Sequence, residues 1–186
     1  MKILVFGASG SGTSTFSKYI QSKHPSYTHL ESDDLFWLHK YSEKREVQER
    51  NRLLLSAIND TDDIVVAGSV LHWDSVLFGV FDLVVFMFVP NEIRVPRLLE
   101  RERQRYGSLL DTDPKTILHH QKFIAWASGY DDPNCSWNLS LHNRWLDQLS
   151  SNTTKTTTVI RIAGDYNLED SYQKLINDLH TLNLSL

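Results

Sequence analysis

Short apolar runs rich in β-branched residues alternate along the chain with segments of helical periodicity. The runs predict five strands, at 3–6, 27–30, 64–68, 82–89 and 157–162. Apolar residues at helical spacing predict five helices, at 14–23, 43–59, 91–106, 114–128 and 168–182. Strands that alternate with helices are typical of a parallel sheet covered on both faces. The pattern therefore predicts a three-layer α/β fold, with the longest apolar run, 82–89, inside its central parallel sheet.

Composition agrees with one folded domain. The chain has 186 residues and a mass of 21.5 kDa, with 41% apolar and 23% charged residues. A chain of this length buries roughly 70% of its unfolded surface and needs no disulfide or metal to fold. These values exclude a disordered or fibrous protein.

Charge and cysteine content limit the classes of binding partner and the cellular compartment that we expect. Nineteen Lys and Arg residues face 23 Asp and Glu residues, so no broad positive field is present to hold a nucleic acid. The single cysteine, Cys135, suits a reducing compartment, and no apolar run approaches the ~18 residues of a membrane span. We expect a cytoplasmic protein without a nucleic-acid or membrane partner, and both monomer and dimer remain open.

A glycine-rich segment, the glycine loop (residues 7–14), separates the first strand from the first helix. In that position the free N–H groups and positive end of the helix favour an anion. Gly7 and Gly12 have the spacing of a phosphate-binding P-loop, and Ser14 stands where that motif places a magnesium-binding hydroxyl. Thr13 stands where the motif has its lysine. The predicted phosphate-binding residues are Gly7, Ser9, Gly10, Ser11, Gly12, Thr13, Ser14 and Thr15.

Two other readings of the glycine loop remain open. Gly7-x-x-Gly10 after a strand also suits a dinucleotide fingerprint, with Glu31 or Asp33 available for a ribose. That fingerprint requires a further glycine where the chain has Thr13. A tight turn without a ligand is the other reading, but its exposed amides would need a partner. We favour the phosphates of a nucleoside triphosphate.

The chain resembles the small P-loop kinases of the adenylate kinase and shikimate kinase-like group. More narrowly, it resembles a set of bacterial proteins of poorly defined function with threonine in the lysine position. The resemblance rests on the segments 7–14, 31–34, 67–69, 81–86, 94–105 and 126–131. It implies ATP and Mg²⁺ as cofactors and a single domain over 1–186. Within that domain it implies a core (1–93 and 146–186), an acceptor-binding segment (about 34–60) and a helical lid (about 94–145).

Two acids follow the second predicted strand, at the edge where α/β sheets bind ligands. Glu31-x-Asp33 resembles the Asp-x-Asp of shikimate kinase-like proteins. The resemblance implies that Asp33 is catalytic and orients or deprotonates the acceptor hydroxyl, and that Glu31 joins Ser14 on the metal side. The alternative is that Asp33 or Asp34 merely caps a helix.

Four arginines form one stripe of a predicted helix, at Arg94, Arg97, Arg101 and Arg105. Arg97-x-x-x-Arg101 resembles the lid arginines of adenylate kinases, where one packs over the adenine and the other reaches the phosphates. The resemblance makes Arg97 and Arg101 catalytic candidates that would compensate for Thr13. A solvated helix face paired with Glu100 and Glu102 is the alternative.

Several weaker candidates complete the prediction. Aromatic residues Phe36, Trp37, Tyr41 and Trp73 suggest an acceptor pocket, with core packing as the alternative. Arg45, Arg50 and Arg52 could bind an acceptor carboxylate or phosphate, but we favour a solvated face for each.

Lys18 is expected to point away from the glycine loop, and Arg144 is a candidate second lid cation. His119, His120, Cys135 and His142 lack the spacing of a zinc site.

Together these features predict ATP-dependent, Mg²⁺-requiring phosphoryl transfer to a small acceptor. That acceptor is a nucleotide, a nucleoside or a hydroxylated metabolite. Two alternatives remain open: a non-catalytic ATP- or ADP-binding protein that lost the lysine, and an NAD(P)-binding reductase.

Overall fold

The computed structural model describes residues 1–39, 42–73, 77, 79–151, 156–165 and 167–186. Its strands are β1 Lys2–Gly7, β2 Thr28–Glu31, β3 Trp37–His39, β4 Glu43–Lys44, β5 Ile64–Ala67, β6 Leu83–Phe88 and β7 Thr158–Ala163. Its α-helices are α1 Thr13–Lys23, α2 Ser32–Phe36, α3 Val47–Asn59, α4 Asn91–Tyr106, α5 Leu109–Thr112, α6 Pro114–Ser128, α7 Leu139–Ser150 and α8 Leu168–Thr181. A short 3-10 helix spans Gly129–Asp131.

Five of the strands form one parallel sheet in the order β2-β5-β1-β6-β7. This confirms the predicted α/β fold, and the long apolar run lies inside the sheet as β6. All five strands end at one edge, because parallel strands run in the same direction. The glycine loop follows β1 at that edge, and Glu31 ends β2 there.

Alternation along β1 divides the core into two layers. Ile3 and Val5 face α1 and α8, whereas Leu4 and Phe6 face α3 and α7. Every one of these four side chains is fully buried. The wholly apolar strand is therefore explained by helices that cover both faces of the sheet.

The structure corrects one predicted helix boundary. The helix expected from residue 43 begins at Val47, because Glu43–Lys44 pairs with Trp37–His39 as an antiparallel hairpin. The amide of Arg45 donates to the Phe36 carbonyl at 2.8 Å and fixes the chain entering the helix. This pairing uses residues with good helix propensity, so local periodicity does not reveal it.

Helix α7 was not predicted. Asn138 caps it by accepting from the Leu141 amide at 2.8 Å, and Trp145 and Leu146 bury its inner face. The cap followed by this apolar spacing is a readable sequence signal. Helix α7 begins inside the segment expected to form the lid, about 94–145, and ends beyond it. Its inner face packs in the hydrophobic core against the sheet. No helix in the described part of the chain is long and apolar enough to cross a membrane.

Burial lowers the pKa of His142, on the inner face of α7, to about 4, and the neighbouring charge of His72 acts in the same direction. The ring is fully buried between Phe6 and Trp137, and its Nδ1 lies 2.7 Å from the hydroxyl of Tyr130. The folded state therefore holds this histidine neutral at pH values where the unfolded chain binds a proton.

We expect this histidine to destabilise the protein in acid. Because its folded-state pKa lies below its unfolded value of about 6.5, stability falls as the pH drops from about 6.5 to about 4. His142→Gln, which does not titrate, should remove about 3 kcal/mol of that pH dependence. Urea unfolding of both proteins at pH 7 and pH 4 measures the difference. Equal pH dependence in the two proteins would contradict a neutral buried imidazole.

Candidate functional site

The glycine loop turns from β1 into α1 through two glycines in the left-handed region. Gly10 has φ +86° and Gly12 has φ +88°, conformations that residues with a Cβ rarely adopt. A Cβ on Gly10 would also lie 2.9 Å from the Leu98 side chain. The loop therefore packs directly on α4, and glycine is required at its tightest point.

Several loop amides are available to a ligand. The amide and hydroxyl of Ser11 both donate to the Ala8 carbonyl, at 3.0 and 2.8 Å, and tighten the turn. Within the described residues, the amides of Gly10, Gly12, Thr13 and Ser14 donate to no protein group. Unpartnered N–H groups at the positive end of a helix form a cradle for an anion.

A hydroxyl and a carboxylate meet beside this cradle. Ser14 Oγ donates to Glu31 Oε2 at 2.8 Å. The sheet brings them together, because Glu31 lies level with Ala67 on β5, and Ala67 lies level with Val5 on β1. Mg²⁺ prefers oxygen ligands and keeps most of its waters or takes substrate phosphates, so one hydroxyl and one carboxylate fit it. Ser14 and Glu31 are the residues that would hold the ion.

Lys18 lies on the other side of the same carboxylate. Its Nζ is 3.7 Å from Glu31 Oε1. The expectation that Lys18 points away from the glycine loop is therefore wrong. Residues four apart share one helix face, and helical side chains lean towards the N-terminus, so the ammonium reaches back to the level of Ser14.

Glu31 has a third neighbour, His29. The His29 Nε2 lies 3.5 Å from Glu31 Oε1 and 3.0 Å from the Ser17 hydroxyl, which itself donates to the Ser14 carbonyl. Burial lowers the pKa of His29, while the Glu31 carboxylate opposes the shift. The candidate metal side is thus a connected polar network rather than two isolated ligands.

Arg94 is fully buried beneath the glycine loop. Its guanidinium donates to Ser9 O at 2.8 Å, Val89 O at 3.0 Å, Ala127 O at 3.2 Å and the side chain of Asn91. It also stacks on the Tyr130 ring, with 5.0 Å to the centroid. Burial lowers the pKa of Arg94, and Asp131 opposes that shift. Arg94, the first arginine of the stripe, therefore donates to backbone carbonyl groups of the protein.

The two arginines predicted to be catalytic are paired with protein groups. Arg97 donates to the carboxylate of Asp165, in the segment after β7. Arg101 Nη2 lies 3.5 Å from Glu102 Oε1, and its guanidinium is 5.8 Å from the Phe123 ring. The structure thus brings Ser14 and Glu31 together, but it does not direct the four arginines of the stripe at one common position.

Asp33 and Asp34 occupy the exposed first turn of α2, immediately after Glu31. The preceding Ser32 is buried against Gly68, where a Cβ would lie 2.3 Å from its hydroxyl. This contact anchors α2 to the end of β5. Both acids therefore lie at the edge of the sheet where the parallel strands end.

The predicted aromatic residues do cluster, and an arginine lies among them. Phe36 is 4.8 Å from Trp37 and 6.4 Å from Trp73 between ring centroids. The guanidinium of Arg50 lies 4.1 Å from the centre of the Phe36 ring, and the residue is only 8% exposed. The solvated face favoured for Arg50 is wrong, because α3 turns it inward. The fourth aromatic candidate, Tyr41, lies outside the described residues.

Arg45 and Arg52 behave differently from Arg50. Arg45 donates from Nε to the Leu35 carbonyl at 3.1 Å and ties the hairpin to α2. Arg52 is exposed and pairs with Glu49 at 2.7 Å, which confirms a solvated face.

A second aromatic wall lies beside the start of the glycine loop. A narrow crevice there is lined by Ala8, Ser9, Arg94, Trp126, Ala127, Tyr130 and Trp137. These side chains come from the loop, α4 and residues 126–137. The residues considered for zinc are not gathered: His142 is in the core, and Cys135 packs against Gly129. Within the described ranges, no group of three His, Cys, Asp or Glu residues could hold a metal ion.

Sequence comparison identifies a relative of nearly the same length. The chain is 34% identical over 178 residues to the "Uncharacterized protein YqaC" of Bacillus subtilis (strain 168), covering 95% of this chain and 96% of the relative. The chain belongs to the YqaC family. No family model matches it.

Structural comparison shows the fold of this YqaC-family chain. A shikimate kinase from Acinetobacter baumannii in complex with shikimate superposes with a TM-score of 0.56, over 98% of this chain and 94% of that chain. Sequence identity is 14%, so the match carries the fold alone. The chain thus has a shikimate-kinase-like P-loop fold.

Three basic residues at this site were undervalued from sequence. Each of these residues, Lys18, Arg50 and Arg94, lies on a helix with other charged residues that are exposed. The sequence pattern therefore does not distinguish it from them. A lysine four residues after the loop hydroxyl is a readable signal, because that spacing shares a helix face. The burial of Arg50 and Arg94 is set by packing and has no local signal.

Replacing Arg94 should destabilise the protein strongly. Arg94→Met leaves the Ser9, Val89 and Ala127 carbonyls without their donor, and buried orphaned groups of this kind cost about 3 to 5 kcal/mol together. Arg97→Met, on the exposed side of α4, should cost less than about 1 kcal/mol. Urea unfolding of the two variants measures both values. Similar losses would show that Arg94 is not the clamp of the loop.

Proposed function

We propose that the protein transfers a phosphoryl group from ATP to a small acceptor in a Mg²⁺-dependent reaction. The observation that carries this proposal is the juxtaposition of unpartnered loop amides with the Ser14–Glu31 pair. Phosphoryl transfer needs mainly positioning and charge neutralisation. A cradle for phosphate oxygens positions the phosphates. The oxygen-ligand site beside it would provide part of the charge neutralisation.

The glycine loop binds the phosphates in this proposal. The unpartnered amides of Gly10, Gly12, Thr13 and Ser14 donate to phosphate oxygens, and Thr15 follows them in the first turn of α1. Ser14 and Glu31 hold Mg²⁺, which supplies charge neutralisation for the β- and γ-phosphates. Thr13, in place of the motif lysine, contributes a hydroxyl and no charge.

Transfer joins the acceptor oxygen to the γ-phosphorus as the bond to the β–γ bridging oxygen breaks, which leaves ADP. Asp33 orients the acceptor hydroxyl and accepts its proton. Arg97 and Arg101 close over the transferring group as part of a lid within residues 94–145. Arg97 forms an exposed ion pair with Asp165, so exchange of that partner for a phosphate costs little. Arg101 pairs with Glu102, which is only 2% exposed, and Arg105 remains 3.0 Å from the same carboxylate oxygen when Arg101 moves to a phosphate.

Arg50 supports an anionic acceptor. It is nearly buried on the Phe36 face, where its Nε donates to the Arg45 carbonyl at 2.5 Å and the charge of Glu46 acts on it, but among the described residues no carboxylate forms an ion pair with it. A buried arginine without a carboxylate is costly unless another anion meets it. We therefore propose that the acceptor carries a carboxylate or phosphate and binds within the segment 34–60.

ATP should stabilise the protein, and more so with Mg²⁺. Ligand at 100 times its Kd adds about 2.7 kcal/mol of stability, which raises Tm by several degrees. Ser14→Ala should remove the Mg²⁺-dependent part of the shift, whereas Ser22→Ala, exposed on the same helix, should preserve it. Thermal denaturation with ATP, with and without Mg²⁺, measures both. No shift of Tm at millimolar ATP would overturn the proposed function.

Transfer itself can be tested with γ-labelled ATP and a panel of small hydroxyl and phosphate acceptors, chiefly anionic ones. With the acceptor that becomes labelled, Arg101→Ala should lower kcat by about 10³-fold and leave the Kd for ATP within a few-fold. Arg103→Ala, exposed on the same helix, should behave as the unmodified protein. ATP binding without any labelled product would favour the non-catalytic alternative.

A further inference from the structure

The glycine loop lacks its own cation, because Thr13 stands in the lysine position. The arginines of α4 do not fill that gap in this structure. Arg94 is saturated by backbone carbonyls below the loop, and Arg97 and Arg101 pair with Asp165 and Glu102. Four unpartnered amides would otherwise face a polyphosphate without a fixed positive side chain.

Lys18 is the lysine that the structure brings to the carboxylate bonded to the loop hydroxyl. Its Nζ lies 3.7 Å from one oxygen of Glu31, and Ser14 donates to the other oxygen at 2.8 Å. The ammonium is therefore separated from the start of α1 by a single carboxylate group.

The ion pair of Lys18 is suited to exchange. The side chain of Lys18 is 63% exposed, and 3.7 Å is beyond ordinary hydrogen-bond length. Exposed pairs of this kind contribute little stability. The flexible four-carbon stem lets the ammonium turn from Glu31 towards an anion in the loop by side-chain rotation.

We propose that Lys18 is the phosphate-binding cation of this protein and supplies the charge that Thr13 does not. The charge is relocated from the loop to the next turn of α1 and reaches back along the helix. Without nucleotide, Glu31 holds the ammonium beside the cradle. This inference rests on the proposed function, since it needs phosphates in the glycine loop.

The test compares nucleotide affinity in Lys18→Met and Lys23→Met. Lys23 is a matched control, because it is an exposed lysine of the same helix, 3.4 Å from Glu169. ATP is titrated in EDTA, which removes divalent metal ions, so that metal binding by Glu31 does not affect the comparison. Lys18→Met should weaken ATP binding by about 10-fold or more, the worth of one charge-assisted hydrogen bond. It should leave adenosine binding unchanged, and Lys18→Arg should restore most of the affinity.

A second comparison separates phosphate contact from mere screening of Glu31. If Lys18 contacts the phosphates, Lys18→Met should weaken ATP binding in a Glu31→Gln background as well. If Lys18 only neutralises Glu31, its effect should vanish in that background, which would overturn the inference.

The remaining outcomes distinguish the two proposals. ATP binding that Lys18→Met leaves unchanged would overturn the role of Lys18 and preserve the proposed function. A similar loss in Lys18→Met and Lys23→Met, or an equal loss for adenosine, would also overturn that role. Failure of the unmodified protein to bind ATP would overturn the proposed function and this inference with it.

Discussion

The contact between the Arg94 guanidinium and the Ser9 carbonyl fixes the part of the molecule on which the candidate site depends. The glycine loop has two left-handed glycines, and its internal hydrogen bonds run from the amide and hydroxyl of Ser11 to the Ala8 carbonyl. Arg94 ties the loop to the end of β6 through Val89 and to the end of α6 through Ala127. One buried cation thereby sets where the amides point, and it does so from below, where it cannot contact a ligand in the loop.

The second constraint is the carboxylate of Glu31. A single carboxylate at the end of β2 is shared by a hydroxyl, an ammonium and an imidazole, from Ser14, Lys18 and His29. Each of these groups competes for the same two oxygens. A change at one of them alters the others, which makes this edge of the sheet sensitive to the arrival of either a cation or an anion. Thr13 brings no charge to the glycine loop, and Lys18 is the lysine that lies at this carboxylate.

Burial shapes the segment that we propose for the acceptor. The hairpin β3–β4 and the start of α3 fold Arg50 onto the face of Phe36, away from water. On the opposite side of the glycine loop, Trp126, Tyr130 and Trp137 form another aromatic wall. Each of these aromatic surfaces carries one buried arginine, Arg50 on the Phe36 ring and Arg94 on the Tyr130 ring, and both arginines donate to backbone carbonyls.

The sequence by itself determined the α/β class, all five strands of the parallel sheet and the position of the glycine loop, because these follow from local periodicity and glycine spacing. It also gave the acid and hydroxyl that meet at the sheet edge, since parallel strands end together. Only tertiary structure decided which basic residues are buried and which lies beside Glu31. Lys18, Arg50 and Arg94 look alike on their helices, and their roles depend on what the opposite chain segments bring to within hydrogen-bonding or stacking distance. That proximity is a property of packing between distant residues, which no local pattern contains.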